Sequence, residues 1–325
     1  MQMKATWYQR IIMKHSYNHC LTEGIRRRVK GELVKMASTL SRSLYDRPFK
    51  EILDCAETSL SHTAHLWKSK EINPEMQIRT SLYDKPKKTV KKVHRIGFYP
   101  VAANPFHWAH LLIGLSALSE FKLDKVIFAI AGCDPRKPDL LPVATRHAMG
   151  KEVLKIFKPL FEYSSIAVGN NGDGESNLFR LLSLNPEQRI EAFYLAGGDH
   201  YHRINPKNNL PDTIPKIENN SMNTGYRGND NFHQVSAVFI ERGERERQVN
   251  TFFPVHFLPA MLFEASSTMI RETLQNKQEK ETLALLPFTA YHYISKFELY
   301  APPSHNVGAV NRNFGVPIRS VFEQT

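Results

Sequence analysis

The chain has 325 residues, 42% of them hydrophobic and 23% charged, which is enough for a sizeable core in one or two soluble domains. No apolar run approaches the roughly 18 residues of a membrane span, and the first twenty residues hold none of signal-peptide length. The net charge of +11 is uneven: residues 1–92 carry 19 Lys/Arg against 9 Asp/Glu, and the remainder 24 against 23.

The basic first part suits nucleic acid, an anionic membrane or an acidic partner, although a solvated basic helical face is the plainer reading. Three scattered cysteines, Cys20, Cys55 and Cys133, offer no metal spacing and fit a reducing compartment. A cytoplasmic location is expected.

Residues 1–80 read as helical. In GELVKMASTLSRSL, the residues Leu33, Met36, Leu40 and Leu44 recur at helical spacing. Pro48 then marks a helix start, with Phe49, Ile52, Leu53, Ala56 and Leu60 along one side. Pro86, set among lysines, marks an exposed linker. Residues 1–92 are therefore expected as a basic, mostly helical extension, 93–300 as the main domain, and 301–325 as a tail.

From His94 onward strands alternate with helices. HRIGFYPV, KVIFAIAG, IEAFYLAGGD, QVSAVFIERG and VHFLPA read as strands. HWAHLLIGLSALSEF, ATRHAMGKEVLKIF and SSTMIRETLQ read as helices. The alternation predicts an α/β fold, a Rossmann-like doubly wound parallel sheet with helices on both faces. The Asn-rich stretch from about 203 to 234 reads as an insertion suited to a lid, or as a surface loop.

In such sheets ligands sit at the carboxyl ends of the strands. Four polar groups fall there. Asn104, His107 and His110 follow the first strand; Lys137 and Arg146 follow the second. Gly197, Gly198 and Asp199 follow a later one; Ser266, Ser267, Thr268 and Arg271 follow the last. Hydroxyls and backbone N–H groups at a helix N-terminus make an anion site. Arg271, three residues after Thr268, can add a charge-assisted contact. The two histidines share one side of a helix start, where both rings can donate to phosphate oxygens. No Cys or carboxylate cluster accompanies them, which argues against zinc and gives no protein metal site. Each group alone has a plainer reading: a capping box, a turn cap, a solvated lysine, a partly buried histidine pair. The order and spacing of all four favour a phosphate site.

These residues resemble the HxGH nucleotidyltransferases, and specifically the nicotinate/nicotinamide mononucleotide adenylyltransferases. NPFHWAH matches half of that family's first motif at Asn104, Pro105, His107 and His110. ASSTMIR matches its second motif at Ser266, Ser267, Thr268 and Arg271. GGD at 197–199, the Lys137–Arg146 segment, the strand VFIERGE with Arg242, and the closing LLPFTAYHYISKFELY are similar too. The resemblance spans about residues 93–300. The chain departs from the pattern at Val101 or Ala102 and at Ala109, where the family has glycine, and at Ala103, where it has Phe.

The resemblance implies adenylyl transfer from Mg²⁺-ATP to nicotinate or nicotinamide mononucleotide, giving a dinucleotide and pyrophosphate by direct in-line attack. It implies that His107 and His110 donate to ATP phosphates, with His110 on the α-phosphate. Ser267, Thr268 and Arg271 would hold the β- and γ-phosphates, Asp199 a ribose, and Lys137 a phosphate. Two other readings stand beside it. One is a superfamily transferase with another phosphate acceptor; the other is a nucleotide-binding protein weakened at its missing glycines.

Overall fold

In the computed structural model the described residues are 7–85, 90–132, 139–170, 172–197, 200–201, 204–205, 210–223, 233–241, 251–259, 265–276 and 280–300. The helices are α1 (Trp7–Ala37), α2 (Arg42–Lys68), α3 (Trp108–Glu120), α4 (Val143–Leu154), α5 (Gly174–Leu184), α6 (Thr213–Asn223), α7 (Ser267–Asn276) and α8 (Phe288–Lys296). The strands are β1 (Val90–Val101), β2 (Lys125–Ile130), β3 (Phe161–Ser164), β4 (Gln188–Gly197), β5 (Ile204–Asn205), β6 (Leu210–Pro211), β7 (Gln234–Ile240) and β8 (Val255–Leu258).

Six strands form one parallel sheet in the order β3-β2-β1-β4-β7-β8, and β5 and β6 make a small antiparallel pair. The order runs outward in opposite directions from β1 and β4, so a crevice opens between their carboxyl ends. This is the expected doubly wound α/β sheet.

Side chains alternate between the two faces of the sheet. On β1, Tyr99 and Val101 join one apolar layer, while Ile96 and Phe98 join the other. The first layer is completed by Leu111 and Leu115 of α3, Met149 and Val153 of α4, and Ile270 of α7. Leu178 and Leu182 of α5 and Ile214 and Ile217 of α6 complete the second.

The basic helices belong to the first layer. Ile25, Val29 and Leu33 of α1 and Ile52, Ala56 and Leu60 of α2 are buried in it. Arg28 donates to the carbonyls of Ile156 at 2.8 Å and Lys158 at 2.6 Å, which docks α1 beside β3. A His62–Ser119 hydrogen bond of 2.7 Å docks α2 on α3.

Four local expectations are corrected. The helix read through Leu44 breaks after Ala37. Ser38 and Thr39 turn their hydroxyls back onto the carbonyls of Lys35 (2.6 Å) and Met36 (2.7 Å), closing the last turn. Helix α2 starts at Arg42, so Pro48 lies inside it rather than at its start. Beyond Lys68 the chain is an irregular strap, not helix. Ile72, Met76 and Ile78 are buried, and Arg79 is pinned by Asn185, whose Oδ1 accepts the Arg79 N–H at 2.7 Å. Finally, the middle of the Asn-rich stretch is helix α6, held by its buried isoleucines, so that part is not a surface loop.

Gly150 of α4 fixes how closely the helix approaches the sheet. A β-carbon there would lie 2.3 Å from Ile130 Cδ1 and 2.8 Å from Phe106 Cε2. Overpacking costs about 1–3 kcal/mol, against about 1 kcal/mol of helix propensity gained from Gly to Ala. Gly150→Ala is expected to destabilise by up to about 2 kcal/mol, read as a lower urea midpoint at unchanged slope. An unchanged or raised midpoint would mean that Ile130 and Phe106 yield freely.

Candidate active site

The loop 102–107 leaves β1 at the mouth of the crevice. Its anchor is Phe106, fully buried with its ring 5.9 Å from that of Phe128. Ala103 sits in the left-handed region at φ 52, which costs a non-glycine residue roughly 1–2 kcal/mol.

His107 is the N-cap of α3 in extended conformation, and His110 follows in the first turn. The two rings lie 3.8 Å apart. His110 Nδ1 accepts the His107 backbone N–H at 3.4 Å, and the ring meets Phe106 edge-on at 5.5 Å. Burial among these rings pushes the His110 pKa down to about 4, although the residue as a whole is half-buried. With Nδ1 accepting, the neutral ring carries its proton on Nε2. His110 is therefore a neutral hydrogen-bond donor near pH 7.

The start of α7 closes against this loop from 160 residues away. Ser267 Oγ donates to the Pro105 carbonyl at 3.0 Å. Arg271 Nη1 donates to the Asn104 carbonyl at 2.9 Å, and its Nη2 to Thr268 Oγ1 at 3.3 Å. Ser266 Oγ accepts the Met269 N–H at 3.1 Å, the N-cap bond of α7. First-turn amides have no acceptor within their own helix. The N-termini of α3 and α7 thus meet at one place, beside a guanidinium and a neutral imidazole donor. Such a place suits a polyanion.

Asn104 itself is only 2% exposed. Its side chain donates to the Asp139 carbonyl at 3.2 Å and accepts the Leu141 N–H at 3.2 Å and the Tyr300 hydroxyl at 2.8 Å. Arg146 is 1% exposed. It donates to the carbonyls of Leu141 (2.9 Å), Ala102 (2.8 Å), Ala131 (2.7 Å) and Gly132 (2.6 Å), clamping the ends of β1 and β2 together. Gly197 is the last residue of β4, at the crevice. Lys137, Gly198, Asp199 and Arg242 lie outside the described residues.

Tyr300 is the residue that pattern reading passed over. It closes the last family-like segment, but nothing local marks its hydroxyl as part of the site. Among the described residues, no group of three or more His, Cys, Asp or Glu is placed to hold a metal ion, and no helix is long and apolar enough to cross a membrane. On α1 and α2 much of the basic charge is paired on the surface: Arg26 and Lys30 with Glu57, Arg42 with Asp46, Arg47 with Glu51.

A depressed histidine pKa has a definite sign in stability. Between pH 6.5 and about 4 the unfolded chain takes up a proton that folded His110 refuses, so its contribution is complete above pH 6.5 and is lost as pH falls toward 4. NMR of the free protein's imidazole nitrogens is expected to show His110 as the Nε2–H tautomer, titrating near pH 4. A midpoint at or above 6.5, or the Nδ1–H tautomer, would contradict this geometry.

No protein-family model matches the chain. It is 27% identical over 220 residues to a probable nicotinate-nucleotide adenylyltransferase of Thermoanaerobacter sp. (strain X514), covering 65% of this chain and 97% of the relative. The corresponding protein of Clostridium tetani is 27% identical over 203 residues, covering 61% and 94%. Among solved structures, the Plasmodium falciparum nicotinic acid mononucleotide adenylyltransferase complexed with NaAD shares 17% identity at a TM-score of 0.47, covering 64% of this chain and 97% of that one. The chain is therefore similar, over nearly the full length of those relatives, to nucleotidyltransferases of the nicotinate-nucleotide adenylyltransferase type.

Proposed function

We propose that the chain transfers the adenylyl group of ATP to nicotinate mononucleotide, giving nicotinate adenine dinucleotide and pyrophosphate. The observation that carries this reading is the docking of α7 on the loop 102–107, through Ser267 to Pro105 and Arg271 to Asn104. It puts two helix N-termini, a neutral histidine donor and an arginine around one crevice at the ends of β1 and β4. The names of the relatives, both probable nicotinate-nucleotide adenylyltransferases, favour nicotinate over nicotinamide as the acceptor base.

A phosphate oxygen of the mononucleotide attacks the α-phosphorus of ATP. The new P–O bond forms as the bond to the bridging oxygen of the β-phosphate breaks, and pyrophosphate leaves opposite the nucleophile. Both reactants are anions, so the protein's work is to hold them in line and to meet developing charge with fixed donors. His110, through Nε2–H, donates to the α-phosphate, where its neutral state keeps a proton available without titrating. His107 supports it at the helix start. The first turn of α7, Ser267, Thr268 and Arg271 hold the β- and γ-phosphates. ATP would be used as its magnesium complex, the metal supplying charge neutralisation on the phosphates. The sequence resemblance assigns Asp199 to a ribose and Lys137 to a phosphate.

Asn104 and Arg146 have a different part: their polar atoms bind backbone and Tyr300, so they shape the loops. Ala109, where glycine is the pattern, is buried at 6% exposure.

Removing one preorganised transition-state donor costs on the order of 10²–10³ in turnover. His110→Ala is expected to lose that much kcat while its ATP affinity changes far less. Turnover near wild type would remove His110 from the mechanism. The reaction itself is tested by pyrophosphate release with Mg-ATP and each mononucleotide supplied in turn. Nicotinate mononucleotide should be the better acceptor. Release with neither would leave another phosphate acceptor or a binding role.

A further inference from the structure

Glu32 lies on α1, far from the crevice, and is only 7% exposed. A buried carboxylate needs partners, and both of its oxygens have them at the start of α8. Oε2 accepts the Thr289 backbone N–H at 2.7 Å, and Oε1 accepts the Thr289 hydroxyl at 2.9 Å. Helix α8 has Pro287 at its N-cap, with no side-chain cap bond of its own. The carboxylate of α1 therefore caps α8 from outside, meeting the positive end of its dipole.

The other end of α8 leads to the site. After Lys296 the chain turns back sharply, with Glu298 and Tyr300 both in the left-handed region at φ 48 and 62. The Leu299 N–H returns to the Ile294 carbonyl at 3.0 Å. This turn delivers the Tyr300 hydroxyl to Asn104 Oδ1 at 2.8 Å. Burial pushes the Tyr300 pKa up, so it stays a hydrogen-bond donor at working pH. The same Asn104 oxygen accepts from Leu141, and the Asn104 carbonyl accepts from Arg271. Tyr300 thus fixes the Asn104 side chain that ties loop 102–107 to residues 139 and 141, next to the Asn104 carbonyl that receives α7.

We infer that Tyr300 is a positioning residue for the triphosphate site and that Glu32, by capping α8, sets Tyr300 in place. The N-terminal helical extension then serves as a brace of the crevice. This rests on the reading of the crevice as an ATP site. It does not depend on the identity of the acceptor.

The test measures Mg-ATP affinity by calorimetry on the full-length chain, with binding stoichiometry and melting temperature recorded for each variant. Tyr300→Phe removes one hydrogen bond to Asn104 and is expected to weaken ATP about three- to tenfold at unchanged stoichiometry. A loss of folded protein would lower stoichiometry instead of affinity. Glu32→Ala is expected to weaken ATP by a similar or smaller factor. In the Tyr300→Phe background that Glu32→Ala effect should vanish, because the two residues act along one path. The inference is overturned if Tyr300→Phe binds ATP like wild type, or if the two effects multiply independently. A wild-type chain that binds no Mg-ATP overturns the nucleotide reading together with this one. Wild-type binding with an indifferent Tyr300→Phe variant overturns this inference alone.

Discussion

The site depends on a contact between two pieces of chain that sequence keeps far apart. Loop 102–107 and the start of α7 are joined by hydrogen bonds onto two successive carbonyls, those of Asn104 and Pro105. Each bond is modest by itself, about 0.5–1.5 kcal/mol, or about 1.5–3 kcal/mol where the donor is charged. Their importance is geometric. Without them the N-termini of α3 and α7 would face solvent separately, and neither alone is more than an ordinary helix end.

Around that contact the chain places buried polar groups where a looser fold would use water. Arg146 ties Ala102, Ala131 and Gly132 into one rim, and Asn104 gathers residues 139, 141 and 300. Buried polar groups are costly unless satisfied. A satisfied set of this kind therefore narrows the rim to one arrangement. Phe106 does the same from the apolar side, wedged against Phe128 and the bare backbone of Gly150.

The sheet was legible because buried parallel strands are near-continuous apolar runs, and KVIFAI and AFYLAG are such runs. The first-turn residues of α3 and α7 were legible through their order and spacing along the chain, since each group alone reads as a helix cap or a partly buried pair. Other features left no local trace. The four-residue strand β3, FEYS, is too short for periodicity to speak. Ala103 at φ 52 follows from the pull of its neighbours, since nothing about Ala asks for that backbone. The break before Ser41 was hidden because Leu40 and Leu44 continue the spacing of Leu33 and Met36, while the Ser and Thr hydroxyls end the helix. Arg146 resembled a phosphate ligand by its place in the sequence. Only the fold reveals that its donors meet carbonyls. Tyr300 needed the turn after α8, which is a tertiary matter.

The neutral state of His110 has a consequence for how the crevice meets acid and alkali. Backbone amides do not titrate, and guanidinium groups stay protonated wherever proteins remain folded. With the His110 imidazole already deprotonated down to about pH 4, these three kinds of donor change no charge across the neutral range. For the proposed reaction, a bell in a rate profile there would be drawn by groups other than these, the phosphates of the reactants among them.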